Sequence, residues 1–150
     1  MYVSTLLADP HSLCLERIVS AADQITLVVK TVLPQAECPL CHTASTHVHS
    51  RYLRTVADLP WHGVAVRLEL HTRKFFCSSD DCQQRVFTQR LPRVVMPYAR
   101  RTARLNDDLQ LIGFALGGEA GAHLAVRLGM TVSPDTLLQR IGEGRRNETE

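Results

Sequence analysis

Between Gly63 and Cys77 the chain alternates. Val64, Val66, Leu68 and Leu70 fall on one face of an extended strand, and Ala65, Arg67, Glu69 and His71 fall on the other. The stretch "QITLVVKTV", residues 24–32, is β-branched and predicts a strand that Pro34 ends; "RVFTQRL" predicts a further short one, and "STHVHSRYLRTV" alternates loosely. Ahead of these, "DPHSLCLERIVSAAD" predicts a short helix. Asp9 would cap it, Pro10 suits its first turn, and Leu15, Ile18, Val19 and Ala22 would form its apolar face. From Thr102 the period becomes helical, with Leu105, Leu109, Ile112 and Leu116 on one face and Thr102 as cap. Gly117 and Gly118 break that helix, a second runs over about 119–128 and stops at Gly129, and Ser133-Pro134 opens a third in which Leu137 and Ile141 share a face.

The pattern therefore predicts an α+β chain. It divides into an N-terminal helical segment (1–23), a small mainly-β unit (24–91), a basic linker punctuated by Pro92 and Pro97 (92–101), a helical unit (102–142) and a tail (143–150). At 150 residues this is one domain or two small modules. No apolar run reaches the roughly 18 residues a bilayer requires. The start lacks the basic region and apolar stretch of a secretory signal, so a soluble, cytoplasmic protein is expected.

The net charge of +2 hides an uneven distribution. Of 17 basic residues 15 are Arg, and 85–104 holds six of them (Arg85, Arg90, Arg93, Arg100, Arg101 and Arg104) with no acid. Charge of that density attracts polyanions, because neutralising phosphates releases counterions. The plain alternative is a solvated arginine-rich face.

Five cysteines in a reducing compartment suggest metal or catalytic use before disulfides. Cys38 and Cys41 form one pair and Cys77 and Cys82 another, each beside a predicted strand whose turn can aim two sulfurs at one point. Four thiolates are the donor set of a structural, tetrahedral zinc ion, and a β-unit this small has reason to use one. The 35 residues between the pairs imply an inserted hairpin or two. A redox CxxC would want a βαβ context, which is missing here. A mixed Cys/His site or catalytic Cys–His pairing stays open, because His42, His47, His49, His62 and His71 lie between the pairs. Cys14 stands outside both and is expected to pack on the first helix as a small hydrophobe.

Residues 118–141 have the layout of a helix-turn-helix, with small residues (Ala120, Ala122, Ala125) in its first helix and a turn at 128–130. In that geometry the start of the second helix enters the major groove, so Ser133, Asp135, Thr136, Gln139 and Arg140 would face DNA. An ordinary three-helix bundle shares the same pattern.

The ordered series CPxC, HSxYxR, DLPxxG, an alternating strand, R-[RK]-F-x-C and F-x-x-R-L-P resembles the N-terminal zinc-binding region of ISL-three family insertion-sequence transposases. It is carried here by "CPLC", "HSRYLR", "DLPWHG", "RKFFC" and "FTQRLP"; "PYARRTARL", "GGEAGAHLA" and "SPDTLLQRI" are similar to the helix-turn-helix that follows. The likeness covers about residues 10–142. It implies a zinc ribbon with Cys38, Cys41, Cys77 and Cys82 as ligands, joined to a reader of terminal inverted repeats in double-stranded DNA. Arg51, Tyr52 and Arg54 would add a second contact surface from the ribbon. The family's strand-transfer chemistry uses carboxylates and two divalent ions in a larger downstream domain. This chain is therefore expected to be a bacterial, nucleoid-associated binding fragment, not an enzyme on its own, that acts beside other transposase subunits. The alternative is a zinc-stabilised protein–protein module without DNA affinity. Trp61 in "DLPWHG" would be its anchor if it were exposed instead of packed under its hairpin.

Overall fold

The computed structural model describes residues 6–147, with side chains described as far as Gly142. In chain order the elements are β1 (Leu13–Ser20), β2 (Gln24–Thr31), β3 (Ala36–Glu37), β4 (Ala44–Ser45), β5 (Val48–Trp61), β6 (Val64–Phe76), β7 (Val86–Thr88), α1 (Ala103–Leu116), α2 (Gly118–Arg127) and α3 (Pro134–Asn147). The fold is α+β, mostly strands, with its three helices at the C-terminal end.

A long antiparallel hairpin, β5–β6, is the spine. Val48 lies opposite Phe75 at one end and Trp61 opposite Val64 at the other. On the second edge of β6, β2 runs parallel over 65–71, and β7 then pairs antiparallel with 74–76; β1 lies outside β2. The alternation expected of β6 is realised, since Val66, Leu68 and Leu70 are buried while Arg67 and His71 are exposed. These three meet Leu13, Leu27, Val29 and Val56 on one face of the sheet, and Leu7, Leu91, Val94 and Val95 cover it. Fully burying an aliphatic side chain stabilises by about 1.5–3 kcal/mol. Leu91, Val94 and Val95 are thus core, while Pro92 and Arg93 between them stay exposed, so this part of the basic stretch expected as a linker lies against the sheet. Trp61 packs on this same cluster.

The helix expected over residues 9–23 is corrected to strand: residues 13–20 form the outer strand of the sheet. Residues 143–147, expected as tail, continue α3, and residues 1–5 and 148–150 of the expected N-terminal segment and tail lie outside the described residues. The Asp9 capping signal serves a turn instead. Its carboxylate accepts from the Ser12 hydroxyl (2.5 Å) and the His11 amide (3.2 Å). Cys14, expected to be packed, is exposed on β1.

The three helices surround a second core of Leu105, Leu109, Ala122, Ala125, Met130, Val132 and Leu137, onto which Leu59 of β5 packs. Thr102 caps α1, accepting from the Leu105 amide (3.4 Å), and Ser133 caps α3, accepting from the Thr136 amide (3.2 Å). α3 sits close to α2 because Gly121 presents no side chain; a Cβ there would stand 2.6 Å from Leu137 Cδ2.

Sheet and helices are fastened at the Trp61 end of the hairpin. The Ala57 amide donates to Arg100 O and the Thr102 amide to Ala57 O, both at 2.9 Å. Beside them the Asp58 carboxylate, with no exposed side-chain surface, accepts from Thr102 Oγ1 (2.7 Å) and Arg104 Nε (2.8 Å), and from Arg104 Nη2. The turn at Gly129 (φ 93°) rests on the β5–β6 turn, where an added Cβ would meet Gly63 O at 2.6 Å.

Candidate metal centre

At the Val48 end of the hairpin the chain gathers four sulfurs. The first pair is held by the β3–β4 ribbon: the Cys38 amide donates to Thr43 O (3.0 Å) and the His42 amide to Cys38 O (2.9 Å), with His42 at φ 59° to close the turn. The second pair follows β6. The Cys77 amide donates to Arg85 O (2.9 Å) as β7 returns antiparallel, and the Cys82 amide donates to Ser79 O (3.3 Å). Phe75 and Phe87, with ring centroids 6.0 Å apart, pack under Cys38 and Cys82.

The ligand atoms of Cys38, Cys41, Cys77 and Cys82 all lie within 4.8 Å of one another. Cys38 Sγ is 3.9 Å from Cys82 Sγ and Cys41 Sγ is 3.5 Å from Cys77 Sγ, and all four cysteines are free of disulfides. A tetrahedral zinc ion with Zn–S near 2.3 Å sets its sulfurs about 3.8 Å apart. The donor set and its spacing therefore fit a closed, structural zinc site.

The electrostatics agree. Hydrogen bonds from the Thr43 side chain and backbone draw the Cys41 thiol down to about 6. The Ser79 backbone pulls Cys77 the same way, but desolvation and hydrogen bonding to Cys41, Cys82 and Cys38 outweigh it and push Cys77 up to about 12. Cys82 is also raised: the Gln84 backbone lowers it, while desolvation and the Cys41 and Cys38 contacts raise it. One thiolate forms readily and its neighbours resist a second negative charge. A divalent cation removes that conflict and must displace protons to do so, so acidification opposes binding.

Among the described residues no histidine joins the cluster. His47 and His49 pack edge-on against Phe76, and His71 lies 3.4 Å from Glu69. The four-cysteine expectation is the one the geometry supports.

The residues expected at DNA are distributed differently. Arg51, Arg85, Arg90, Arg93 and Arg100 are exposed. Arg54 clasps the 96–99 turn, donating to Met96 O (2.9 Å) and Ala99 O (2.5 Å). Arg101 donates to Thr131 O (3.1 Å), and burial, then the neighbouring Arg140 charge, lower its pKa. Arg104 is committed inside the fold, to Asp58 and to Leu6 O (2.9 Å), so its guanidinium holds the helices to the sheet. On α3, Ser133, Asp135 and Gln139 are exposed, while Thr136 and Arg140 are half-buried. Sequence reasoning missed Asp58 as a structural anchor. Its place in an apparent turn motif gave no sign of burial.

A family model described as the zinc-finger of transposase IS204/IS1001/IS1096/IS1165 matches residues 34–82. No curated protein and no solved structure matches the chain. Among the described residues no helix is long and apolar enough to cross a membrane. The match begins just before β3 and ends on Cys82, so it takes in every sulfur of the cluster. Together the two observations make this region a zinc-binding, transposase-related module.

Proposed function

We propose that the chain is the DNA-binding module of a bacterial transposase and recognises the terminal inverted repeats of a mobile element for DNA transposition. On this reading α2 and α3 act as a helix-turn-helix and the start of α3 enters the major groove. Strand transfer belongs to a separate carboxylate domain, and this chain does not catalyse it alone. The Asp58 clasp fastens the helical unit that carries the reading helix to the sheet.

The observation that carries the reading is how α3 is presented. Leu137 is fully buried in the core that α1 and α2 share, while Ser133, Asp135 and Gln139 stay exposed.

The test is a salt series of gel shifts with an element-end duplex and a random duplex. Gln139→Ala should cost about 1–3 kcal/mol on the element end alone. Arg93→Ala with Arg100→Ala should weaken both duplexes and flatten the salt slope by up to about 0.9 per phosphate lost. Absence of duplex binding at low salt, or unchanged discrimination in Gln139→Ala, would contradict the proposal.

A second reading, a protein–protein module, is favoured by one observation. Leu111, Phe114, Val126, Leu128 and Leu138 are exposed apolar groups on the helical unit or its turn. They suit contact with another transposase subunit. Concentration-dependent sedimentation that Leu111→Asp abolishes would support it.

A further inference from the structure

Beside the zinc end, β5, β6, β7 and the 96–99 turn enclose a groove of about 550 Å³ that neither the metal nor α3 explains. This volume lies within the range of small-molecule sites. Tyr52, Arg54, Lys74, Arg90 and Tyr98 line it, and none of its lining residues is acidic. Among the described residues neither Lys74 nor Arg90 has a carboxylate partner; the Lys74 ammonium lies 5.5 Å from the Tyr52 ring centroid.

Tyr98 is 96% exposed and sits at φ 60°, a conformation that bulky side chains rarely adopt. An aromatic ring held out in water gains nothing from the fold's own core. Arg54 donates to the carbonyls on both sides of it and so fixes the turn that carries it. A smaller chamber adjoins the groove, sharing Tyr52, Arg54, Thr88, Arg90 and Pro97 with it, and is also lined by Thr72 and Gln89. The Thr72 hydroxyl and both polar atoms of the Gln89 side-chain amide are buried there without a protein partner. Gln89 is 5% exposed.

Free cations at the rim, exposed aromatic surface at the mouth and unpaired hydrogen-bonding groups further in are complementary to one chemistry: a phosphate, a planar base face, and a polar group directed inward. We infer that this groove binds an unpaired nucleotide of a DNA strand, with its phosphate on Lys74 and Arg90 and its base stacked on Tyr98. Base–aromatic stacking tolerates any base, so the groove reads strandedness and not sequence. The inference rests on the DNA-binding reading for its biological partner, but the groove can be tested without the α3 reader.

The probe is fluorescein-labelled pentathymidylate, titrated by anisotropy into the full zinc-loaded chain, with a blunt element-end duplex measured in parallel. Pentathymidylate should bind the wild type. Tyr98→Ala should weaken it roughly tenfold, Tyr98→Phe should restore it, and Lys74→Glu with Arg90→Glu should remove it. Blunt-duplex affinity should be unchanged in Tyr98→Ala. No pentathymidylate binding, or equal affinity in wild type and Tyr98→Ala, overturns the inference. The second outcome would leave a phosphate site without stacking. Tyr98-dependent pentathymidylate binding without any duplex binding would sustain the groove and overturn only the helix-reader proposal. Because Tyr98 makes no core contact, its substitution leaves the fold intact.

Discussion

The β5–β6 hairpin is held at its two ends by opposite strategies. At the Val48 end, a small cluster of Phe75, Phe87 and four cysteines closes two turns that have little other support. At the Trp61 end, a buried carboxylate, a helix cap and a backbone-to-backbone contact at Gly129 lock three helices onto the sheet. The first end delegates its stability to an ion, because β3, β4 and β7 are two or three residues long and bury few side chains. The second end has an aliphatic core of its own and needs only a fastener. One hairpin thus carries a metal-dependent module and a metal-independent one.

The two ends should part most visibly when the metal is lost. Cys77→Ser should lose zinc and unfold the 34–47 and 77–88 regions; metal analysis would give less than one zinc per chain. Amide spectra should retain the helical signals. Zinc binding supplies on the order of 10–16 kcal/mol in small metal modules, far more than the strands here can replace. Retained stoichiometry would remove Cys77 from the site.

At the other end, Asp58→Ala leaves Arg104 half-buried without its carboxylate and takes the acceptor from Thr102. Breaking a buried pair in this way costs about 3–5 kcal/mol. Thermal unfolding should move down by many degrees while zinc stoichiometry stays at one. If the same substitution lost zinc, the two ends would not be independent. Gly129→Ala should act at the same junction with a smaller cost, about 1–3 kcal/mol, because its backbone must stay at positive φ with a Cβ facing Gly63 O. Denaturant midpoints measured with and without a chelator would show the effect in both states.

The sequence announced one end of this molecule much better than the other. Paired cysteines beside strands state their purpose through donor type and spacing. The alternation of β6 is plain because one face is covered and the other wet. Thr102, Gly117, Gly129 and Ser133 mark the helices because caps and left-handed turns restrict residue choice. Residues 13–20 misled because β1 is an outer strand exposed over most of its length, with a register shift between Leu15 and Arg17. No alternation is imposed on it, and Ile18 and Val19 then fit a helical face equally well. Pro92 and Arg93 disguise Leu91, Val94 and Val95 as linker, although those three cover the main core. The Asp58 clasp joins positions 44 and 46 residues apart. Nothing local marks such a partnership.

Zinc-edge X-ray absorption on the purified full chain tests the account most directly. Four sulfur scatterers at about 2.3 Å around a single zinc are the predicted result. A first shell containing nitrogen or oxygen, or a folded chain that takes up no zinc, would contradict it.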